Sequence, residues 1–454
     1  MADLSFDVIV VGGGPAGEVC AGRLGDAGLE VALVEQELVG GECSFYACMP
    51  SKAILRPGEL LAEVRRIPGV REAVTGDLDV RAVLERRDEV IHNLDDSHME
   101  PWLADHGVTL VRGHARFDGE RRLKVESDTL LARQAVVVAS GSGAAVPPID
   151  GLREARPWTN REATLAKEVP ERLAILGGGV VGVEMAQAWS SLGSQVTLVE
   201  AADRLLANEE PFAGEEVRSA LHERGVDVQV GVKATAVRAR DGEVEVELDI
   251  GGPVRGEQLL VAVGRRPRTD DLGLESVGLE PGKSIEVDDR MRANDWLYAI
   301  GDVNGRVLLT HMGKYQARIA AGTILGQDVS AIGDDARSPR VIFTDPQVAA
   351  VGHTLERARA AGLDVRAVDV PTQSTAGASF YGRDDAPGTS RLVIDDSRGV
   401  VVGATFTGVE VGEWLHAATI AVVGEVPLDR LAHAVPAFPT RSEVWLKLLE
   451  SYEL

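Results

Sequence analysis

Two stretches of this chain repeat one plan, and that repetition restricts the fold more than any other feature. An apolar strand, Phe6 to Val11, runs into Gly12-Gly-Gly14-Pro-Ala-Gly17 and a helical pattern to about Gly28; a second strand, Val31 to Val34, then ends at Glu35. The plan recurs at Leu173 to Leu176, Gly177-Gly-Gly179-Val-Val-Gly182, a helix through Ser191, and Val196 to Val199 ending at Glu200. Even the spacing from first glycine to acid repeats, since 35 − 12 = 23 and 200 − 177 = 23. In such a unit the first glycine permits a tight turn, the second lets the backbone approach a pyrophosphate, and the third lets helix and strand pack closely. The anion then meets the N–H groups and positive dipole end of the helix. One glycine triplet proves little, because any tight strand-to-helix turn can use one. Two in full context predict two bound dinucleotides.

The acids at the strand ends carry the next inference. Glu35 and Glu200 are placed to hold adenosine ribose hydroxyls, and a carboxylate at Glu200 would repel a 2′-phosphate, so NADH is expected over NADPH. Arg204 stands close enough in sequence to reach a phosphate; its other reading is a solvated surface arginine.

With 454 residues the chain is long enough for two to four domains. A formal charge of −24 repels phosphate backbones and anionic lipid at long range, so neither nucleic acid nor membrane is an expected partner. There is no run of eighteen apolar residues and no leader-like opening, which points to a cytoplasmic protein. Cys20, Cys43 and Cys48 are too few to staple a secreted fold. Cys20 falls within an apolar helix pattern and reads as inert packing.

Cys43 and Cys48 read differently. They lie in Gly40-Gly-Glu-Cys43-Ser-Phe-Tyr-Ala-Cys48-Met-Pro-Ser-Lys52, which opens a long helix-compatible segment expected to keep both sulfurs on one face. The pair could be a coincidence or half a metal site, but no second pair exists to complete a zinc shell, so no resident metal is expected. A redox disulfide is the better reading, and a helix N-terminus favours the thiolate such a pair needs. Phe45 and Tyr46 between them either pack or shape the approach to the sulfurs.

Here the chain resembles the flavoprotein disulfide reductases, the group of dihydrolipoamide dehydrogenase, glutathione reductase and mercuric reductase. The resemblance spans nearly the whole chain. Beyond the glycine loops and the cysteine segment it rests on Ala139-Ser140-Gly141-Ser, Val263-Gly264-Arg-Arg-Pro267, Leu297-Tyr-Ala-Ile-Gly301-Asp302, Val341-Ile-Phe-Thr-Asp-Pro346 and Val351-Gly-His-Thr354. It implies an α/β fold: two Rossmann-like dinucleotide-binding domains, for FAD and NAD, plus an α+β C-terminal dimerisation domain. The implied boundaries are 1–150 and 269–335 for the FAD domain, 151–268 for the NAD(P) domain and 336–454 for dimerisation, in a homodimer.

Roles follow from the same resemblance. Cys48 would face the flavin and Cys43 would be the interchange thiol exposed to substrate. Lys52 and Glu184 would form an ion pair beside the flavin N5, and Asp302 would hold its ribityl or phosphate side. The helix beginning near His311 would point its N-terminus at the flavin N1 and O2 edge, where reduced flavin carries charge. The plainer readings are a solvated lysine, a surface acid and a turn aspartate.

One departure matters. Where relatives carry His-Pro-Thr-x-x-Glu, whose histidine is the acid–base for the interchange thiol, this chain has Phe438-Pro-Thr-Arg-Ser-Glu443. Phenylalanine carries no proton, and Glu443 has lost what it would orient; a shifted loop presenting His433 is the one substitute in the sequence. Mercuric reductases have tyrosine there, but they also use a C-terminal cysteine pair, and this chain ends Leu449-Glu-Ser-Tyr-Glu-Leu454. The expected activity is therefore NADH-dependent reduction, through FAD and a Cys43–Cys48 disulfide, of a small acceptor or unusual disulfide that needs no histidine relay. The alternatives are direct quinone reduction from the flavin, metal-ion reduction, and a non-catalytic flavin-binding partner protein.

Overall fold

The computed structural model describes residues 3–240, 242–381 and 388–453. Leu454, at the end of the C-terminal run quoted above, lies outside these. The described chain divides into two compact units, one of 1–50, 87–144 and 265–335, the other of 51–86, 145–264 and 336–454.

The first unit is built on a largely parallel sheet. Its central strand, Asp3–Val11, pairs on one side with Val31–Glu35 and on the other with Asp128–Val138, placing Val10 beside Leu33 and Val137. Val108–Arg112 extends the sheet on one side, and Leu297–Ala299 pairs parallel with Asp128–Val138. Strands covered on both faces must be apolar at every position rather than alternate. Val8 and Val10 accordingly enter one core with Leu33 and Val137, while Ile9 and Val11 enter another with Val34 and Val136. The helices Pro15–Asp26 and Thr310–Ile324 supply the first of these cores through Cys20, Leu24, Ala317 and Ala320. Cys20 is fully buried there, and burial pushes its thiol up to about 12.

The second unit contains a parallel sheet of the same plan: Arg172–Leu176 flanked by Gln195–Glu200 and Gln258–Val261, with Asp227–Val230 outside Gln195–Glu200. It also contains a five-stranded antiparallel sheet. That sheet runs Arg340–Ile342, Gln347–Gly352, Val400–Gly408, Thr389–Asp395, Val365–Pro371, and is covered by the helices Val411–Val423 and Val444–Ser451. Phe406, fully buried, is the shared floor for Trp414 and Trp445 at centroid distances of 5.1 and 6.2 Å. Among the described residues, no helix is long and apolar enough to cross a membrane.

Candidate active site

Each glycine loop has the same internal geometry. A Cβ on Gly12 would collide with the Ala139 carbonyl and one on Gly17 with the Gly12 carbonyl, whereas one on Gly14 would meet nothing within 4 Å. In the second loop Gly177 and Gly182 are closed off in the same way by Ala262 and Gly177 carbonyls, and Gly179 again faces open space within 4 Å. So the outer glycines are needed for packing, and the middle one leaves a cradle at the N-terminus of the helix it opens. That is the shape a pyrophosphate requires. The acids stand at the mouths of these cradles. Glu35 accepts from the N–H groups of Gly13 and Glu37, both at 2.6 Å, and Glu200 accepts from those of Gly178 and Ala202. Fixed this way, each carboxylate keeps lone pairs for ribose hydroxyls.

The cysteine segment lies directly against the first cradle. Gly40 donates to the Gly13 carbonyl at 2.8 Å, and a Cβ on Gly41 would approach Gly14 Cα to 2.9 Å. Both residues also have positive φ, 120° and 56°, so this close crossing needs glycine on two counts. Upstream, Asp96 accepts from Val39 N–H and from Arg112, each at 2.7 Å, and holds the approach to the segment. Asp96 and Arg112 carry no motif and were not legible in the sequence.

The cysteines do meet, though not on one helix face as expected. Cys43 belongs to a short helix, Gly41–Phe45, and Cys48 opens a separate one, Cys48–Arg66. Five positions along one continuous helix would turn the sulfurs about 140° apart. The chain instead breaks at Tyr46 (φ −131°, ψ −5°), and Phe45 is buried beneath the break. Phe45 is thus a packing residue. Both cysteines are free thiols, half-buried, with Cys43 hydrogen-bonded to Cys48. That hydrogen bond, then burial and the charge on Cys48, raise the Cys43 thiol well above its ordinary value. With a negative charge on Cys48, the pair therefore takes a second with difficulty. Thr310, the first residue of its helix, places Oγ1 3.4 Å from Cys48 Sγ, an arrangement that identified no residue from sequence. His311 beside it is exposed.

The remaining predicted residues of the first unit cluster around a two-stranded antiparallel ladder of Ser142–Ala144 with Arg265–Pro267. Ser140 Oγ donates to the Arg268 carbonyl at 2.8 Å, and Arg268 N–H returns a bond to Gly141 O at 3.0 Å. Asp302 accepts from Ser142 Oγ at 2.5 Å and lies 3.5 Å from Arg265. Arg268 also binds Glu42, the neighbour of Cys43, at 2.6 Å.

In the second unit Lys52 and Glu184 form the expected ion pair at 2.7 Å, with Glu184 only 3% exposed. Glu184 also accepts from Phe343 N–H at 2.9 Å, and the Lys52 ammonium sits 4.8 Å from the centre of the Phe343 ring. One turn on, Gln187 accepts from Asp345 N–H at 2.7 Å. The carboxylate is thus a junction of three segments as well as a charge partner, and Phe343 and Gln187 were beyond sequence reasoning. Gly264 carries φ 141° and its carbonyl accepts from Ala145 N–H.

The Phe438 segment is exposed but firmly anchored. Phe438 is 76% exposed and Val435 84%, and His433 is also exposed. Behind them Arg441 donates to the Val409 carbonyl and to Glu410, and its guanidinium stacks 4.0 Å from the Tyr381 ring centre. Glu443 Oε2 is buried with no hydrogen-bond partner among the described residues.

Two pyrophosphate cradles, each with its acid, and a thiol pair against the first define an FAD- and pyridine-nucleotide-dependent oxidoreductase. The comparisons give the family: the chain belongs to the pyridine nucleotide-disulphide oxidoreductases, matching them over residues 6–317 and their dimerisation domain over 338–449. Among curated proteins it is 30% identical to mercuric reductase of Staphylococcus aureus, across 97% of this chain and 81% of that one. It is 32% identical to dihydrolipoyl dehydrogenase of Halobacterium salinarum, across 98% and 95%. Among solved structures it superposes on the HOCl-induced flavoprotein disulfide reductase RclA from Escherichia coli with TM-score 0.86 and 26% identity, covering 98% and 99% of the two chains; RclA has also been solved as a Cu(II) complex.

Proposed function

We propose that the chain uses NADH to reduce a Cys43–Cys48 disulfide and, through it, a small acceptor whose reduction consumes no proton, with a soft metal ion as the acceptor class. The carrying observation is the pairing of a Cys43 thiol hydrogen-bonded to Cys48 with a side chain at position 438 that has no titratable atom. FAD, when bound, takes a hydride from the pyridine nucleotide and supplies an electron pair to a disulfide.

The chain's own residues do the rest. The open face at Gly14 and the helix behind it would receive the FAD pyrophosphate, with Glu35 to hold the ribose and Asp302 the ribityl or phosphate side. Gly177, Gly179 and Gly182 would do the same for the nicotinamide nucleotide, and the resemblance to the family assigns the Lys52–Glu184 pair to the flavin. On reduction the S–S bond breaks, the pair takes up two electrons, and one proton stays on Cys43 while Cys48 keeps a negative charge beside Thr310. On reoxidation by two one-electron metal acceptors, the S–S bond re-forms and the Cys43 proton leaves to water. No proton is handed to the acceptor, so Phe438 costs this route nothing. A disulfide acceptor differs, because its departing thiolate must be protonated. The names of the relatives support the metal reading: mercuric reductase, and RclA with Cu(II). In this reading the ion enters as substrate. A homodimer in the cytoplasm belongs to the same reading, the dimer supported by the dimerisation-domain match.

The test is anaerobic titration of the holoenzyme with NADH. A long-wavelength absorbance from thiolate beside oxidised flavin is expected at two electrons per flavin. Direct bleaching of the flavin, with no such band, would contradict the disulfide route and favour direct reduction of an acceptor such as a quinone.

Nucleotide choice rests on Glu200, supported by Arg204, whose guanidinium donates to the Ala207 carbonyl at 3.0 Å. Like charges brought together cost enough that kcat/KM should favour NADH by about tenfold or more. Equal or greater efficiency with NADPH would overturn it.

A further inference from the structure

We propose that Lys314 supplies a fixed positive charge that favours the thiolate of Cys43 in a site whose position 438 carries no imidazole. The inference rests on the disulfide route above and deepens it.

The geometry comes from the Thr310–Ile324 helix. Thr310 opens that helix with its hydroxyl 3.4 Å from Cys48 Sγ. Lys314 lies four residues later, one turn along the same face. The helix N-terminus and the hydroxyl thus lie at the sulfurs, with the lysine one turn further along the same helix face, and each favours negative charge there. Two groups act on Cys43 in that sense, the Thr310 hydroxyl and the Lys314 charge, against burial and the neighbouring Cys48. Other charges nearby are already occupied: Glu42 is bound to Arg268. Glu18, on the Pro15–Asp26 helix, also feels the Lys314 charge; burial, with a smaller push from Glu35, raises it to about 7, which leaves it half neutral near physiological pH and a weak competitor for the lysine. Lys314 itself is exposed and forms no ion pair within 4.0 Å among the described residues, so its charge is free to act on the sulfurs. In chemical terms, a fixed cation replaces what a protonated imidazole does electrostatically. It cannot replace proton transfer, which is why the site suits acceptors that take electrons alone.

The experiment isolates one thiol. In Cys48→Ser holoenzyme, Cys43 is the remaining accessible cysteine, since Cys20 is fully buried. Its alkylation rate by iodoacetamide is measured against pH, with Lys314→Gln and Lys314→Arg added to that background. Lys314→Gln should move the midpoint upward by roughly 0.5–1 pH unit, a three- to tenfold loss of thiolate at fixed pH, and Lys314→Arg should restore it. Because the lysine is exposed, the shift should shrink as salt is raised from about 0.05 to 0.5 M. An unmoved midpoint in Lys314→Gln, or an arginine variant that behaves like glutamine, overturns the assignment. So does loss of bound flavin in Lys314→Gln, which would make the lysine a cofactor ligand. Failure of the disulfide route would appear elsewhere, as the missing long-wavelength band in the unmodified enzyme.

Discussion

Serine at position 43 is expected to lower NADH-driven turnover of the physiological acceptor by about a thousandfold or more, the scale on which loss of a reacting nucleophile is felt. The reason is local. Cys43 is the half-buried thiol hydrogen-bonded to Cys48, and a serine oxygen can neither form nor release the S–S bond on which the electrons leave. Flavin content and the rate of flavin reduction by NADH should stay near their original values, because Gly12, Gly14, Gly17 and Glu35 are untouched. A steady-state assay with Cu(II), mercuric ion, quinones and disulfides as acceptors checks this directly. Full activity in Cys43→Ser with the preferred acceptor would show that electrons bypass the sulfurs, as quinone reduction from the flavin would.

The second large effect is a gain. Phe438→His should raise dihydrolipoamide-type thiol–disulfide turnover by roughly a hundred- to ten-thousandfold, the range of general acid–base assistance. The structure makes the gain plausible in detail. Arg441 holds the segment through Val409, Glu410 and Tyr381, so the new imidazole would be presented on a fixed frame. Among the described residues Glu443 Oε2 is buried without a hydrogen-bond partner, an acceptor for one ring nitrogen that would orient the other. Because the assistance comes from an imidazole, the gained activity should follow a titration near pH 6–7, whereas metal-ion reduction should stay nearly unchanged. A Phe438→His, Glu443→Gln double variant should lose a large part of the gain. If Phe438→His leaves lipoamide turnover as low as before, the missing proton carrier is not what limits this chain.

The contrast between the two glycine loops and the cysteine segment shows what was legible in advance. Continuous apolar strands, glycines at fixed offsets and an acid 23 residues on encode their own structure locally, since 35 − 12 and 200 − 177 both give that spacing, and strand, turn and helix appear where the pattern places them. The cysteine spacing encoded contact but not its means. Two helices with a break at Tyr46 bring the sulfurs together, and that break depends on Phe45 finding a buried site, which is a tertiary matter.

Residues within a motif stand out in the chain, and residues related only by position in space do not. Thr310, Lys314, Asp96, Gln187 and Arg441 act through segments tens to hundreds of positions away, and no periodicity in the chain marks such pairings. The sequence by itself determined the two nucleotide units, the thiol pair and the absence of a titratable group at 438, because each is a property of local spacing or residue type. Tertiary structure alone decided what faces the sulfurs, what anchors the Phe438 segment and which carboxylate is left without a donor, because burial and hydrogen bonding are settled only when distant strands and helices close around them.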